Sequence, residues 1–214
     1  YGAEAAQDIL EAWSKFSDVF TAYPFNPTTL YFCPIQLGPA NLLYPVPTGY
    51  AATMVGYAYD DLKTWVTIYP VDVFASQFET MATGWQPGLA AFKSAIGKTR
   101  TKVQTANAKT DFGLAEAAYL HFKSVANQVQ FTKARNALRD LALGAEQRQN
   151  NIRIMKSVAA EEIKLAQRLY QLAKEDSRIG FEASNQYHYL PLDLVEKVVN
   201  CEYLLKDRLP GLSN

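Results

Sequence analysis

The sequence predicts an all-α fold: an antiparallel helical bundle of about five helices, with a long Pro/aromatic-rich loop excursion over residues 24–70. Three observations lead there. Apolar residues recur at helical spacing in five separate stretches. Six of the ten prolines fall between Pro24 and Pro47, a density that forbids a continuous helix. Gly144 separates two long helical patterns, as expected of an antiparallel helix pair. The 214 residues are read as a single helical domain (1–214), long enough to bury a full core.

The first helix rests on Ile9, Trp13, Phe16, Phe20 and Tyr23, spaced 4, 3, 4 and 3, which share one face until Pro24 stops the helix. Trp13 and Trp85 sit in such stripes and are expected in the core. Eleven of the 27 aromatics lie from Tyr23 to Phe74 inclusive, nine of them inside the excursion, where a short helical turn is expected near Asp60–Trp65. A loop this long inside a compact domain is more often functional than not. The second helix starts near Pro70 or Asp72 and follows Phe74, Phe78, Met81, Trp85, Leu89, Phe92 and Ile96, with a kink or break expected at Gly84 and Pro87. Residues 97–110 are polar, lack apolar periodicity and read as a mobile connection.

The third helix, about Asp111 to Leu143, has a face of Leu114, Ala118, Phe122, Val125 and Val129. That stripe then turns polar through Thr132, Arg135, Asn136 and Arg139. Asn127-Gln128, with His121, read as a solvent face or as a seam towards a second domain. The fourth helix, about Gln147 to Ile179, keeps near-heptad spacing from Ile152 to Ala173, and Gly180 is expected to end it. Pro191 opens the last helix, whose face is Leu194, Val198, Cys201 and Leu205.

Composition narrows the function. Lys plus Arg (21) equals Asp plus Glu (21), so no basic excess points to nucleic acid, and no polybasic tract points to an anionic membrane. No apolar run approaches the roughly 20 residues that span a bilayer. Phosphate-binding glycine motifs, paired metal-binding histidines and a nucleophile elbow are missing, so no cofactor or metal is expected. Glu161-Glu162 has no ExxH partners for a di-metal site and reads as a solvated or helix-pairing carboxylate. Cys33 and Cys201 read as buried free thiols. The chain begins at Tyr1, not Met, and it is read as a fragment or a processed form.

What remains is the chemistry of binding. Sugars offer apolar ring faces and a rim of hydroxyls, which call for flat aromatics beside Asp, Glu, Asn, Gln, Arg and His. Residues 38–65 supply Asn41, Tyr44, Tyr57, Tyr59, Asp60, Asp61 and Trp65. Residues 176–189, DSRIGFEASNQYHY, supply Arg178, Glu182, Asn185, Gln186, Tyr187 and His188. The ligand-binding candidates are Asn41, Tyr59, Asp60, Asp61, Trp65, Arg178, Glu182, Asn185, Tyr187 and His188. Each has a plain structural alternative. Asp60-Asp61 could cap the turn before Leu62, Trp65 could plug the core, Arg178 and Glu182 could pair, and Asn185 could hold an Asx turn.

EAWSKFSDVFTAYPF (11–25), QLGPANLLYPVPTGY (36–50), MVGYAYDDLKTW (54–65), LHFKSVANQ (120–128) and DSRIGFEASNQYHYLPLDLVEKVVNCEYLL (176–205) occur together. The set resembles the C-terminal helical region of large bacterial glycoside hydrolase-like proteins of gut and soil carbohydrate users, over nearly the whole chain. The resemblance implies a parent with an upstream catalytic barrel and this helical region packed beside it. It assigns no catalytic residue and leaves the compartment (bacterial cytoplasm, periplasm or secreted) open. Three functional expectations follow. The first is a non-catalytic accessory domain of a sugar hydrolase, partnered by the upstream domain and by carbohydrate. The second is a self-contained glycosidase using Asp60 or Asp61 with Glu182. The third is a helical protein-interaction module without a carbohydrate role, motivated by the polar stripe Thr132–Arg139.

Overall fold

A computed structural model describes residues 1–54, 56–182 and 186–212. The fold is all-α, with seven α-helices among the described residues: α1 (Ala6–Phe20), α2 (Pro27–Phe32), α3 (Leu62–Val66), α4 (Val71–Gly97), α5 (Lys102–Ala137), α6 (Ala145–Glu175) and α7 (Pro191–Tyr203). The five long ones are those expected. α2 and α3 are short helices within the excursion, and α3 occupies the turn foreseen near Asp60–Trp65. A two-residue hairpin, β1 (Phe181–Glu182) with β2 (Gln186–Tyr187), pairs antiparallel between α6 and α7.

The long helices form a row in sequence order, each packed mainly on the next. Contacts fix the directions. Phe16 stacks on Trp85 at 4.3 Å and Trp13 meets Phe92 at 6.2 Å, so α1 and α4 run antiparallel. Phe92–Phe112 and Trp85–Phe122 do the same for α4 and α5. Arg168–Glu116 and Asn127–Glu162 do it for α5 and α6.

The helices differ from the sequence reading in several places, and α5 ends at Ala137, not near Leu143. α4 has no break, since Pro87 lies inside it and α4 continues to Gly97. Gly84 and Gly88 instead let α1 approach, because a Cβ on either would sit 2.3 Å from Val19 or Phe16. Residues 97–110 are mostly helix. α5 begins at Lys102, capped by Thr101 and Gln104 holding each other's backbone amides. Its first turns project with most side chains exposed, so no apolar period marks them. α6 ends at Glu175, before Gly180. Gly180 has φ of +86° in the following turn, where a Cβ would meet the Tyr189 carbonyl at 2.7 Å.

Trp85 is core, but Trp13 is not: it is 48% exposed. α1 ends the row and has a neighbour on one side only, so its apolar stripe is wider than its contact. Cys33 and Cys201 are free and buried, and burial pushes both thiols up, Cys201 to about 12, which keeps them un-ionised.

The apolar core falls into clusters. One joins α1, α4, α5 and the excursion. A second contains Leu120, Leu165, Leu169 and Leu194, and a third contains Phe131, Met155, Val158 and Cys201. Between the second and third, on α5, α6 and α7, lies a layer of buried polar side chains: Ser124, Asn127, Gln128, Glu162 and Lys197. Lys197 Nζ and Glu162 Oε2, both fully buried, are 2.8 Å apart. Ser124 donates to Oε2 at 2.8 Å and Asn127 to Oε1 at 2.9 Å. Glu162 is therefore the helix-pairing carboxylate of the sequence reading. Asn127 and Gln128 face neither solvent nor a second domain; they are inside.

Removing one member of such a pair strands a buried charge. Lys197→Met should cost about 3–5 kcal/mol, and adding Glu162→Met should recover much of it. Urea unfolding of the two single variants and the double variant checks this; additive losses would contradict it.

Candidate functional site

The excursion is held to the helical row by polar side chains. Asn41 donates from Nδ2 to Gln128 Oε1 and to the Tyr59 carbonyl, each at 2.8 Å. Gln128 donates to the Gly38 carbonyl at 2.9 Å, and Lys197 to the Asn41 carbonyl at 2.5 Å. Asn200 on α7 brackets Leu43, accepting from its amide at 2.9 Å and donating to its carbonyl at 3.0 Å. Arg135 is buried, donates to the Tyr44 carbonyl at 3.1 Å and pairs with Asp60. Asp60 also accepts from the Thr48 amide at 3.1 Å and from its hydroxyl. The polar stripe that suggested a partner surface is thus partly internal: Thr132 and Arg135 are buried, while Asn136 and Arg139 are exposed.

His121 forms another latch. Nδ1 lies 2.6 Å from the Ile35 carbonyl and Nε2 lies 2.8 Å from the Tyr189 hydroxyl. A carbonyl only accepts, so Nδ1 carries the proton and Nε2 accepts from Tyr189 when the ring is neutral. Burial pushes its pKa below the ordinary 6.5 and nearby His188 adds to this, while the bond to Ile35 opposes it. Gly38, at φ of +52°, leaves room for the ring, since a Cβ there would sit 2.7 Å from His121.

These latches bring the excursion against the segment before and within α7. A cleft of ≈ 230 Å³ opens between them. Asn41, Tyr44 and Tyr57 line it from the excursion, Tyr187, His188 and Tyr189 from the hairpin side, and Asp193 and Glu196 from α7. The Tyr187 hydroxyl donates to the Ser177 carbonyl at 3.2 Å. Asp193 accepts from the Leu190 amide at 2.7 Å, which caps α7. Tyr44 is half-buried. Burial, with the carboxylates of Asp60 and Glu196 and the neighbouring Tyr59 and Tyr57 contributing, pushes its hydroxyl up to about 12, so it remains a proton donor.

The ten expected site residues divide. Asn41, Tyr187 and His188 meet at the cleft. Tyr59 reaches Asn41 through its carbonyl; its backbone is left-handed (φ 51°), and its ring lies between Tyr50 and Tyr57 at 5.2 and 5.7 Å. Asp60 is the partner of Arg135. Asp61 is the N-cap of α3, accepting from Thr64 at 3.3 Å and from Ala52 at 3.0 Å. Trp65 is core, with Nε1 donating to the Ala58 carbonyl at 3.0 Å. Arg178 pairs with Asp176 and lines a separate depression with Tyr1, Asn107 and Asp111. Glu182 stands opposite Gln186 in the hairpin. Asn185 lies outside the described residues. Asp193 and Glu196 were missed. Their spacing of three near a helix start, which puts both on one face, was the available signal. Among the described residues, no group of three His, Cys, Asp or Glu could hold a metal, and no helix is long and apolar enough to cross a membrane.

No protein-family model, curated protein or solved structure matches the chain.

Two outcomes follow. The unfolded chain protonates at His121 as pH falls through 6.5 while the folded one resists, so the unfolded state binds more protons and stability declines below about pH 6.5. Urea midpoints between about pH 7.5 and 5.5 should drop less for His121→Gln than for the natural protein. Asp60→Ala leaves the Arg135 guanidinium buried and unpaired, and should cost about 3–5 kcal/mol in the same assay. An unchanged midpoint would free Asp60 for another role.

Proposed function

We propose that this chain is the helical accessory domain of a sugar hydrolase, in which the cleft supplies sugar-binding groups to the active site of an upstream catalytic domain. The observation that carries this reading is convergence. Two segments, residues 41–57 and 187–196, which are 130 to 155 positions apart, meet at one cleft with tyrosine rings, a histidine and two carboxylates. Rings stack on the apolar faces of sugars, and the rim groups pair with hydroxyls. The resemblance of the sequence to the C-terminal region of glycoside hydrolase-like proteins supports the same assignment.

The arrangement favours binding over hydrolysis. Glycosidic cleavage uses carboxylates that flank the scissile bond. Here Asp193 and Glu196 come from one face of one helix, and Asp193 is also occupied as a cap. Asp60 and Asp61, the acids of the self-contained reading, are engaged by Arg135, Thr48, Thr64 and Ala52.

One observation favours the second reading, an interaction module without a carbohydrate role. Leu192, Val195, Val199 and Tyr203 on α7 recur at spacings of 3, 4 and 4 and are all exposed. α7 ends the row, and among the described residues no helix covers this stripe, although Val195 at its edge shares a groove with Gln167 and Tyr170 of α6. Under the first reading it is the surface that meets the catalytic domain.

Titration of the chain with oligosaccharides, followed by tyrosine fluorescence, separates the two. Binding that Tyr57→Ala weakens by about 2–10-fold without lowering the melting temperature supports the first. No response to any oligosaccharide supports the second.

A further inference from the structure

We propose that the sugar taken by this cleft is cationic, one that carries a free amine. This rests on the reading of the cleft as a sugar site and adds the class of sugar. Among the described residues, the carboxylates that line the cleft are Asp193 and Glu196, and His188 lines it with them. Among the described residues, no Lys or Arg lines the cleft. Two cations beside lining residues are committed elsewhere: Lys197, next to Glu196 in sequence, is fully buried against Glu162 and the Asn41 carbonyl, and Arg135, which donates to the Tyr44 carbonyl, is buried against Asp60. Among the described residues Glu196 makes no ion pair, and Asp193 spends one oxygen on the Leu190 amide.

The aromatic lining has the same sign. Tyr44, Tyr57 and Tyr187 contribute rings whose faces are negative, and such faces attract ammonium groups. Tyr44 stays un-ionised, so it offers a hydroxyl donor to a sugar oxygen and does not compete for the amine. A neutral sugar would use the rings and hydroxyls alone. An amino sugar of the same shape adds an ion pair with Glu196 and a contact between its ammonium and a tyrosine face. These two contacts, at about threefold each, give a preference of about tenfold.

Titration of the whole chain with four probes tests this: a glucosamine trimer with all amines free, its fully N-acetylated counterpart, a glucose trimer of the same linkage, and a lysine tripeptide. The free-amine trimer should bind about tenfold more tightly than either neutral trimer, and added salt should shrink the difference. Glu196→Gln, an exposed change that should leave the melting temperature intact, should reduce the preference to about threefold. Equal or better binding of a neutral trimer overturns the amine assignment and leaves the sugar reading standing. No binding by any of the three sugars overturns the sugar reading itself. Tighter binding of the lysine tripeptide than of the amino sugar overturns the choice of a sugar as the cationic ligand.

Discussion

The buried pair of Glu162 and Lys197 constrains the rest of the molecule. Two charges with no water access are tolerable only where every remaining lone pair and proton finds a partner. Ser124 and Asn127 complete the carboxylate, and the Asn41 carbonyl takes the ammonium. These partners come from α5 and from the excursion, so the pair fixes the level at which α5, α6 and α7 meet. A slip of one turn in any of the three would bring an apolar side chain to the charges. The apolar clusters above and below would accept several offsets; the polar layer accepts one.

The same layer positions the cleft. Asn41 and Gly38 are bound into it through Gln128, and Leu43 is bracketed by Asn200 one turn further along α7. Those contacts set where Tyr44 and Tyr57 stand relative to Asp193 and Glu196. The cleft is lined by loop, hairpin and the first turns of α7. Its geometry is inherited from rigid helices behind it, the division of labour expected where a scaffold carries binding loops.

Much of the fold was legible in the sequence because helix faces obey a 3.6-residue period. Phe74, Phe78, Met81, Trp85 and Phe92 needed nothing else to be placed. Errors arose where a residue answered to something distant. Gly84 and Gly88 look like helix breakers until α1 is laid against them. Gln128 and Arg135 look like surface, since polar side chains usually are, until Asn41 and Asp60 arrive from 87 and 75 residues away. Half of the candidate site was legible for the same reason. Asn41, Tyr187 and His188 stood out by composition, whereas Asp193 and Glu196 looked like ordinary residues of a helix start. Asp60, Asp61 and Trp65 had the right chemistry for a sugar and a structural use for it.

The row of helices also bears on the entropy of folding. From α4 to α7, neighbours in the row are also consecutive long helices in sequence, so their contacts close short loops at small entropic cost, whereas α1 reaches α4 across the excursion. The excursion is joined to α7 across 156 and 157 residues, through Lys197–Asn41 and Asn200–Leu43. Of the side-chain hydrogen bonds described, these span the widest separation in sequence, so the geometry of the cleft rests on the contacts with the largest closure entropy.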